Sequence, residues 1–192
     1  MRIIVGISGA SGAIYGIRLL EVLRCFDHVE THLVLSNAAK LTIGYETRYS
    51  VAEVRELADH SWQNSDLAAS ISSGSYRTSG MIIAPCSMKT LSGIVNSYSD
   101  SLLQRAADVV LKEKRRLVLM PRESPLHTGH CKLMYDAARM GAIISPPMPA
   151  FYNNPQTLED IVNHSVGRVT DLFDLDSGIV KRWREQTPEK AS

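Results

Sequence analysis

Apolar residues in this chain fall into short unbroken runs, separated by stretches with a helical period. Residues 3–7 form a β-rich run, broken by Gly9, Ala10, Ser11 and Gly12. Ile14, Ile17, Leu20 and Leu23 then recur at three-residue spacing, the mark of a helix with one buried face. Residues 32–35 predict a second strand, and Ser36 is placed to cap the helix after it. Ser50 and Glu53 match a capping box ahead of another helix. Residues 81–84 predict a third strand ending at Pro85. Residues 101–113 predict a helix with Leu102, Leu103, Ala106, Val109 and Val110 on its inner face. A fourth strand over 117–120 stops at Pro121, and a helix follows over 132–140. Residues 142–144 predict a fifth strand, which runs into Pro146, Pro147, Met148 and Pro149. The last long helix is expected over 158–172.

Short apolar strands alternating with helices imply βα units, right-handed crossovers and a parallel sheet buried on both faces. The expected fold is α/β, a three-layer doubly wound parallel sheet. No repeat or linker interrupts it, so residues 1–176 are expected to form a single domain. Residues 177–192 read as a C-terminal tail, with Trp183 docking on the body or on a neighbour.

Composition narrows the partners. Among 192 residues, 44% are hydrophobic and 21% charged, as in soluble globular proteins. Lys and Arg number 21 against 20 Asp and Glu, a net charge of +1. That balance gives no long-range attraction to nucleic acid or anionic lipid, so neither is expected as a partner and any anion site must be local. Cys25, Cys86 and Cys131 are far apart, which suggests neither a disulfide framework nor a zinc site. No apolar stretch is long enough to span a bilayer, no signal peptide is evident, and a cytoplasmic location is expected.

In open α/β sheets, ligands bind beyond the carboxyl ends of the strands, so the segments after each strand carry the chemistry. After the first strand, small residues Gly9, Ala10 and Ser11 allow close backbone approach, and the next helix offers N–H groups to an anion. The dinucleotide fingerprint and its acidic partner after strand two are both missing, as is a P-loop. A mononucleotide phosphate remains. Ser87, Met88, Lys89 and Thr90 after the third strand offer hydroxyls, a helix start and a positive charge. Arg122 suits bidentate contact with phosphate, and Glu123 beside it suits a general acid if burial raises its pKa. Tyr152 follows the proline run, positioned either to bond a phosphate or to pack. His127 and His130 lack a nearby third ligand, so no metal is expected.

Together, residues 5–13, 72–75, 85–91, 105–113, 121–123 and 149–152 resemble the flavin prenyltransferase family, the UbiX-type proteins also found as the small subunit of phenolic-acid decarboxylase systems. The resemblance implies a Rossmann-like flavoprotein, a homo-oligomer (usually a dodecamer) and FMN bound near subunit boundaries. It implies transfer of a dimethylallyl group from dimethylallyl monophosphate to reduced FMN, making prenylated FMN for a UbiD-type decarboxylase. By the same resemblance Gly9, Ala10, Ser11, Ser36, Ser87, Met88, Lys89, Thr90 and Arg122 match flavin contacts. Lys112, Arg122, Tyr152 and Arg168 are matched to the prenyl phosphate, and Ser11, Glu46 and Glu123 to polar groups near the reacting atoms. Leu67 stands where relatives often carry an aromatic residue. Two alternatives stay open: an FMN-dependent decarboxylase of the related cysteine-decarboxylase group, and a non-catalytic flavin-carrying accessory subunit.

Overall fold

The computed structural model describes residues 1–183; the part of the expected tail from 184 to 192 lies outside the described residues. The chain divides into two compact units, Met1–Pro146 and Pro147–Ser192.

The first unit holds one parallel sheet of six strands in the order β3-β2-β1-β4-β5-β6. These are β1 (Arg2–Ile7), β2 (Glu30–Leu35), β3 (His60–Trp62), β4 (Gly80–Cys86), β5 (Arg116–Pro121) and β6 (Ile143–Ile144). Six α-helices accompany it: α1 (Ala13–Leu23), α2 (Asn37–Glu46), α3 (Val51–Glu56), α4 (Met88–Val95), α5 (Leu102–Lys112) and α6 (Thr128–Arg139). β1 is central, and Val5 lies between Leu33 and Ile82. The chain moves outward from β1 to β2 and β3, then returns to β4 and continues the other way. The crevice between β1 and β4 is thus the topological switch point, where such sheets bind ligands.

Alternation of side chains across the pleat supplies two apolar faces. Ile4, Val34, Met81, Ile83, Leu117 and Leu119 pack with Leu102, Leu103, Ala106 and Val110 of α5. On the opposite face α1 comes so close that a Cβ on Gly16 would sit 2.3 Å from the Ala84 carbonyl oxygen and 2.7 Å from the Ile7 side chain. Three helix starts follow local sequence signals. Ser36 accepts from Ala39 N–H, Ser101 from Gln104 N–H, and Ser50 with Glu53 closes the expected capping box.

The structure adds what periodicity missed. β3 is an edge strand of three residues, too short and too exposed to show a period-two pattern. β4 runs through Pro85 to Cys86, and β5 ends on Pro121 rather than before it. α6 begins at Thr128, four residues before the expected start, because the His127 side chain caps it by accepting from Gly129 N–H.

The second unit contains a short 3-10 turn (Phe151–Asn153) and α7 (Leu158–Asp171), whose start is fixed by a capping box of Thr157 and Asp160.

Candidate active site

The carboxyl ends of β1 and β4 are joined by one buried hydroxyl. Ser8, fully buried, donates from Oγ to the Pro85 carbonyl at 2.9 Å and accepts from Ser87 N–H at 2.7 Å. This fixes the entry to α4, where Ser87 Oγ accepts from Thr90 N–H at 3.2 Å and donates to Thr90 Oγ1 at 3.1 Å. Arg122 N–H bonds the Cys86 carbonyl at 3.2 Å, which brings the end of β5 alongside.

A cavity of about 490 Å³ opens at these strand ends, within the size range of small-molecule sites. Its lining includes Gly9, Ser36, Lys40, Ser87, Lys89 and Thr90, so the segments expected after β1, β2 and β4 do converge. The first N–H groups of a helix have no intrahelical partner. Those of Asn37 and Ala38 on α2, and of Met88 and Lys89 on α4, are not taken by any acceptor among the described residues. A phosphate ester fits this donor set. The Met88 side chain turns elsewhere, lining a second cavity with His127, His130 and Leu133, so Met88 can serve the first only through its backbone.

The glycine-rich loop after β1 behaves differently from its sequence reading. The N-terminus of α1 is already occupied: Glu46, at the end of α2, accepts from Gly12 N–H at 2.7 Å and from Ala13 N–H at 3.3 Å. Burial pushes the Glu46 carboxyl up, but the Gly12 N–H, the Ser11 hydroxyl, the Ala13 N–H and the Arg122 charge outweigh it and hold its pKa below the ordinary carboxylate value. Ser11, Glu46 and Arg122 therefore form one electrostatic cluster. Tyr15 joins it: burial raises the phenol's pKa, and Arg122 opposes that rise. Gly9 is required for packing, since a Cβ there would lie 2.3 Å from the Cβ of Ala38. Glu123 Oε1 accepts from its neighbour Ser124 N–H at 2.9 Å and is exposed.

Lys112 does not reach the cavity within one chain. It ends α5, whose other end carries Ser101 at the cavity wall, and its ammonium pairs with Glu113. In the second unit, Tyr152 packs edge-on to His164 with ring centroids 5.7 Å apart, and to Trp183 at 5.2 Å. Trp183 thus contacts its own chain. His164 lies one helical turn before Arg168 on α7. Burial lowers its pKa, and Arg168 lowers it further, which favours the neutral imidazole. Arg168 itself pairs with Asp171 at 2.9 Å. Tyr15 and His164 escaped the sequence reading because no local motif marks them, and Ser8 was read only as part of the loop after the first strand.

Glu30, His32 and His60 offer ligand atoms within 4.8 Å of one another at the other end of the sheet. They do not make a metal centre. An indole can only donate, and Trp62 Nε1 lies 3.1 Å from His32 Nδ1, so Nδ1 accepts and the ring proton sits on Nε2. That Nε2–H points at Glu30 Oε1, 3.1 Å away, leaving His32 no lone pair for an ion. Glu30 is also held by Arg2 at 3.0 Å. His127 and His130 have no third ligating group beside them among the described residues.

Comparison with known proteins agrees with this geometry. The family model described as Flavoprotein matches residues 1–170. The chain is 62% identical over 185 residues to the flavin prenyltransferase UbiX of Salmonella typhimurium, covering 95% of this chain and 98% of the relative. It is 58% identical to that of Thauera aromatica, over 95% and 94% of the two chains. A solved structure described as a dodecameric FMN-dependent UbiX-like decarboxylase from Escherichia coli O157:H7 superposes with a TM-score of 0.94 at 57% identity, covering 95% of this chain and 99% of that one. AnUbiX (PadA1), solved in complex with FMN and dimethylallyl pyrophosphate, gives 0.93 at 52% identity, covering 95% and 96%. Cysteine decarboxylases such as SpaF, at 14% identity, share the fold alone. A match of this identity over nearly the whole of both chains places the protein: it belongs to the UbiX-type flavin prenyltransferase family.

Proposed function

We propose that this protein is a flavin prenyltransferase that moves a dimethylallyl group from dimethylallyl monophosphate onto reduced FMN, making prenylated FMN for a UbiD-type decarboxylase. The observation that carries the reading is the cavity at the β1–β4 switch point, where unpaired N–H groups of two helices face Ser36, Ser87, Thr90 and Lys89. Reduced FMN would supply a nucleophilic ring nitrogen. The protein's part is to hold, orient and neutralise. Gly9, Ala10 and Ser11 present backbone at the crevice, and Arg122 supplies the charge beside Ser11 and Glu46. Tyr152 and Arg168 neutralise the departing phosphate, with Lys112 as a further cation; such stabilisation matters most where water is excluded. Lys112 lies at the far end of α5 from its own cavity, so it would serve the site of a neighbouring copy, consistent with a homo-oligomer, a dodecamer in the Escherichia coli relative. Glu123 protonates the leaving phosphate, and Ser11 with Glu46 accepts a proton from the flavin side.

No helix among the described residues is long and apolar enough to cross a membrane, and we place the protein in the cytoplasm without a membrane or nucleic-acid partner. The test is anaerobic incubation with reduced FMN and dimethylallyl monophosphate, followed by mass measurement of the bound flavin. A gain of one five-carbon unit is expected. Unmodified flavin would overturn the reading, and carbon dioxide release from an acid substrate without a partner would replace it with the decarboxylase alternative. Glu123→Gln should keep FMN binding and lose most turnover; undiminished turnover removes Glu123 from the mechanism.

A further inference from the structure

His164 lies in the middle of α7, is only 8% exposed and belongs to no motif. Its Nδ1 is 2.7 Å from Asn153 Nδ2. A carboxamide nitrogen only donates, so the ring accepts there and carries its proton on Nε2. The imidazole is neutral in that role, which burial and the Arg168 charge both favour. Asn153 depends on this bond. Its Oδ1 is buried without a partner among the described residues, so His164 is what holds the carboxamide in place. Asn153 is the last residue of the 3-10 turn that carries Tyr152.

Tyr152 needs an outside anchor, because it is 48% exposed and its hydroxyl makes no hydrogen bond among the described residues. What fixes it is a closed circuit of contacts within the second unit. On one side the phenol ring packs on His164, with centroids 5.7 Å apart and planes at 84°. On the other it meets Trp183 at 5.2 Å. Trp183 follows Arg182, whose guanidinium forms a two-point pair with Asp171 at 2.9 and 3.0 Å. Asp171 also holds Arg168 at 2.9 Å, and Arg168 lies one helical turn after His164 on the same face of α7. Tyr152 and Arg168 are thereby linked along two paths, one through His164 and one through Asp171, Arg182 and Trp183. Of these residues, His164 both touches the Tyr152 ring and anchors the residue beside it in the chain.

We infer that His164 is a positioning residue for prenyl transfer: by bonding Asn153 and packing on Tyr152, it sets the phenol in place beside Arg168 for the phosphate of the allylic donor. The inference rests on the proposed role of Tyr152 at that phosphate. The deciding experiment measures kcat/KM for dimethylallyl monophosphate with the full chain at saturating reduced FMN, alongside FMN affinity by fluorescence titration. His164→Ala removes the bond and the ring, and kcat/KM should fall about threefold to tenfold, the net value of one hydrogen bond, with FMN affinity unchanged. His164→Asn keeps an acceptor on the same Cγ and should recover most of that loss. Asparagine is a poorer helix former than alanine, so if His164 mattered only to α7 this variant would do worse, not better. In a Tyr152→Phe background, His164→Ala should add little, because no hydroxyl is left to position. Unchanged kcat/KM in His164→Ala, no recovery in His164→Asn, or an equal fall with and without the Tyr152 hydroxyl would overturn the assignment. If His164→Ala does not fold, His164→Phe, which fills the space but cannot bond Asn153, reads the same ratios. Absence of transfer by the wild-type chain, or wild-type kcat/KM in Tyr152→Phe, sinks the reading of the site and this inference with it. A fall in Tyr152→Phe with none in His164→Ala removes His164 alone.

Discussion

Glu46 closes the start of α1 from a distance of 34 residues, and removing its charge should cost stability in a pH-dependent way. Glu46→Ala deletes the acceptor of the Gly12 and Ala13 N–H groups, bonded at 2.7 and 3.3 Å. Loss of a helix cap costs about 0.5–2 kcal/mol. A carboxylate at a helix start contributes about 0.3–1 kcal/mol through the dipole. Glu46 is exposed, so water re-solvates the freed donors, and the lower part of these ranges applies: about 1 kcal/mol for alanine. Glu46→Gln keeps a neutral oxygen acceptor and should lose only the charge contribution, about 0.5 kcal/mol. In a chain of this size 1 kcal/mol corresponds to a Tm change of about 2–4 °C. Because the folded-state pKa of Glu46 is depressed, the charge contribution is fully present above the unfolded carboxylate pKa, near about 4.3, and is lost as pH falls through the folded value. Thermal unfolding followed by circular dichroism should therefore show a constant gap between wild type and Glu46→Gln from neutral pH down to about pH 5. The gap should close at lower pH. No gap at neutral pH, or one undiminished in acid, would refute the capping role.

Three further outcomes test the scaffold. Gly16→Ala forces a Cβ to within 2.3 Å of a backbone carbonyl in the central sheet, and should cost about 3 kcal/mol, the upper end for overpacking; an unchanged urea midpoint would show that α1 can move away. Ser8→Ala leaves Ser87 N–H without its acceptor and should cost about 1–3 kcal/mol in urea unfolding while weakening FMN binding; loss of stability with intact FMN affinity would make Ser8 purely structural. Burial pushes the Cys86 thiol up to about 12, so it should resist alkylation in the native protein at about pH 8, whereas rapid labelling of Cys86 seen by peptide mass mapping would contradict its placement.

Local chemistry was legible in the sequence. Caps act over three or four residues, so Ser36 and Ser50 with Glu53 were readable at once, and both bond as expected. Unbroken apolar runs identified the buried strands, and with them the strand ends where Ser87, Lys89, Thr90 and Arg122 had to lie. β3 escaped because three residues paired at an edge carry almost no periodic signal. What the tertiary structure decided is which groups are free. The glycine-rich loop reads locally as an open anion seat, yet Glu46 fills it, and the open donors are instead at α2 and α4. Gly9, Gly16 and Gly93 look like loop or helix irregularities, but each makes room for a neighbour that only sheet order and helix packing bring close. Hydrogen bonds within one turn depend on neighbouring residues alone, so sequence determines them. Occupancy of a site depends on contacts between residues remote in the chain, and those exist only after the sheet has set its order.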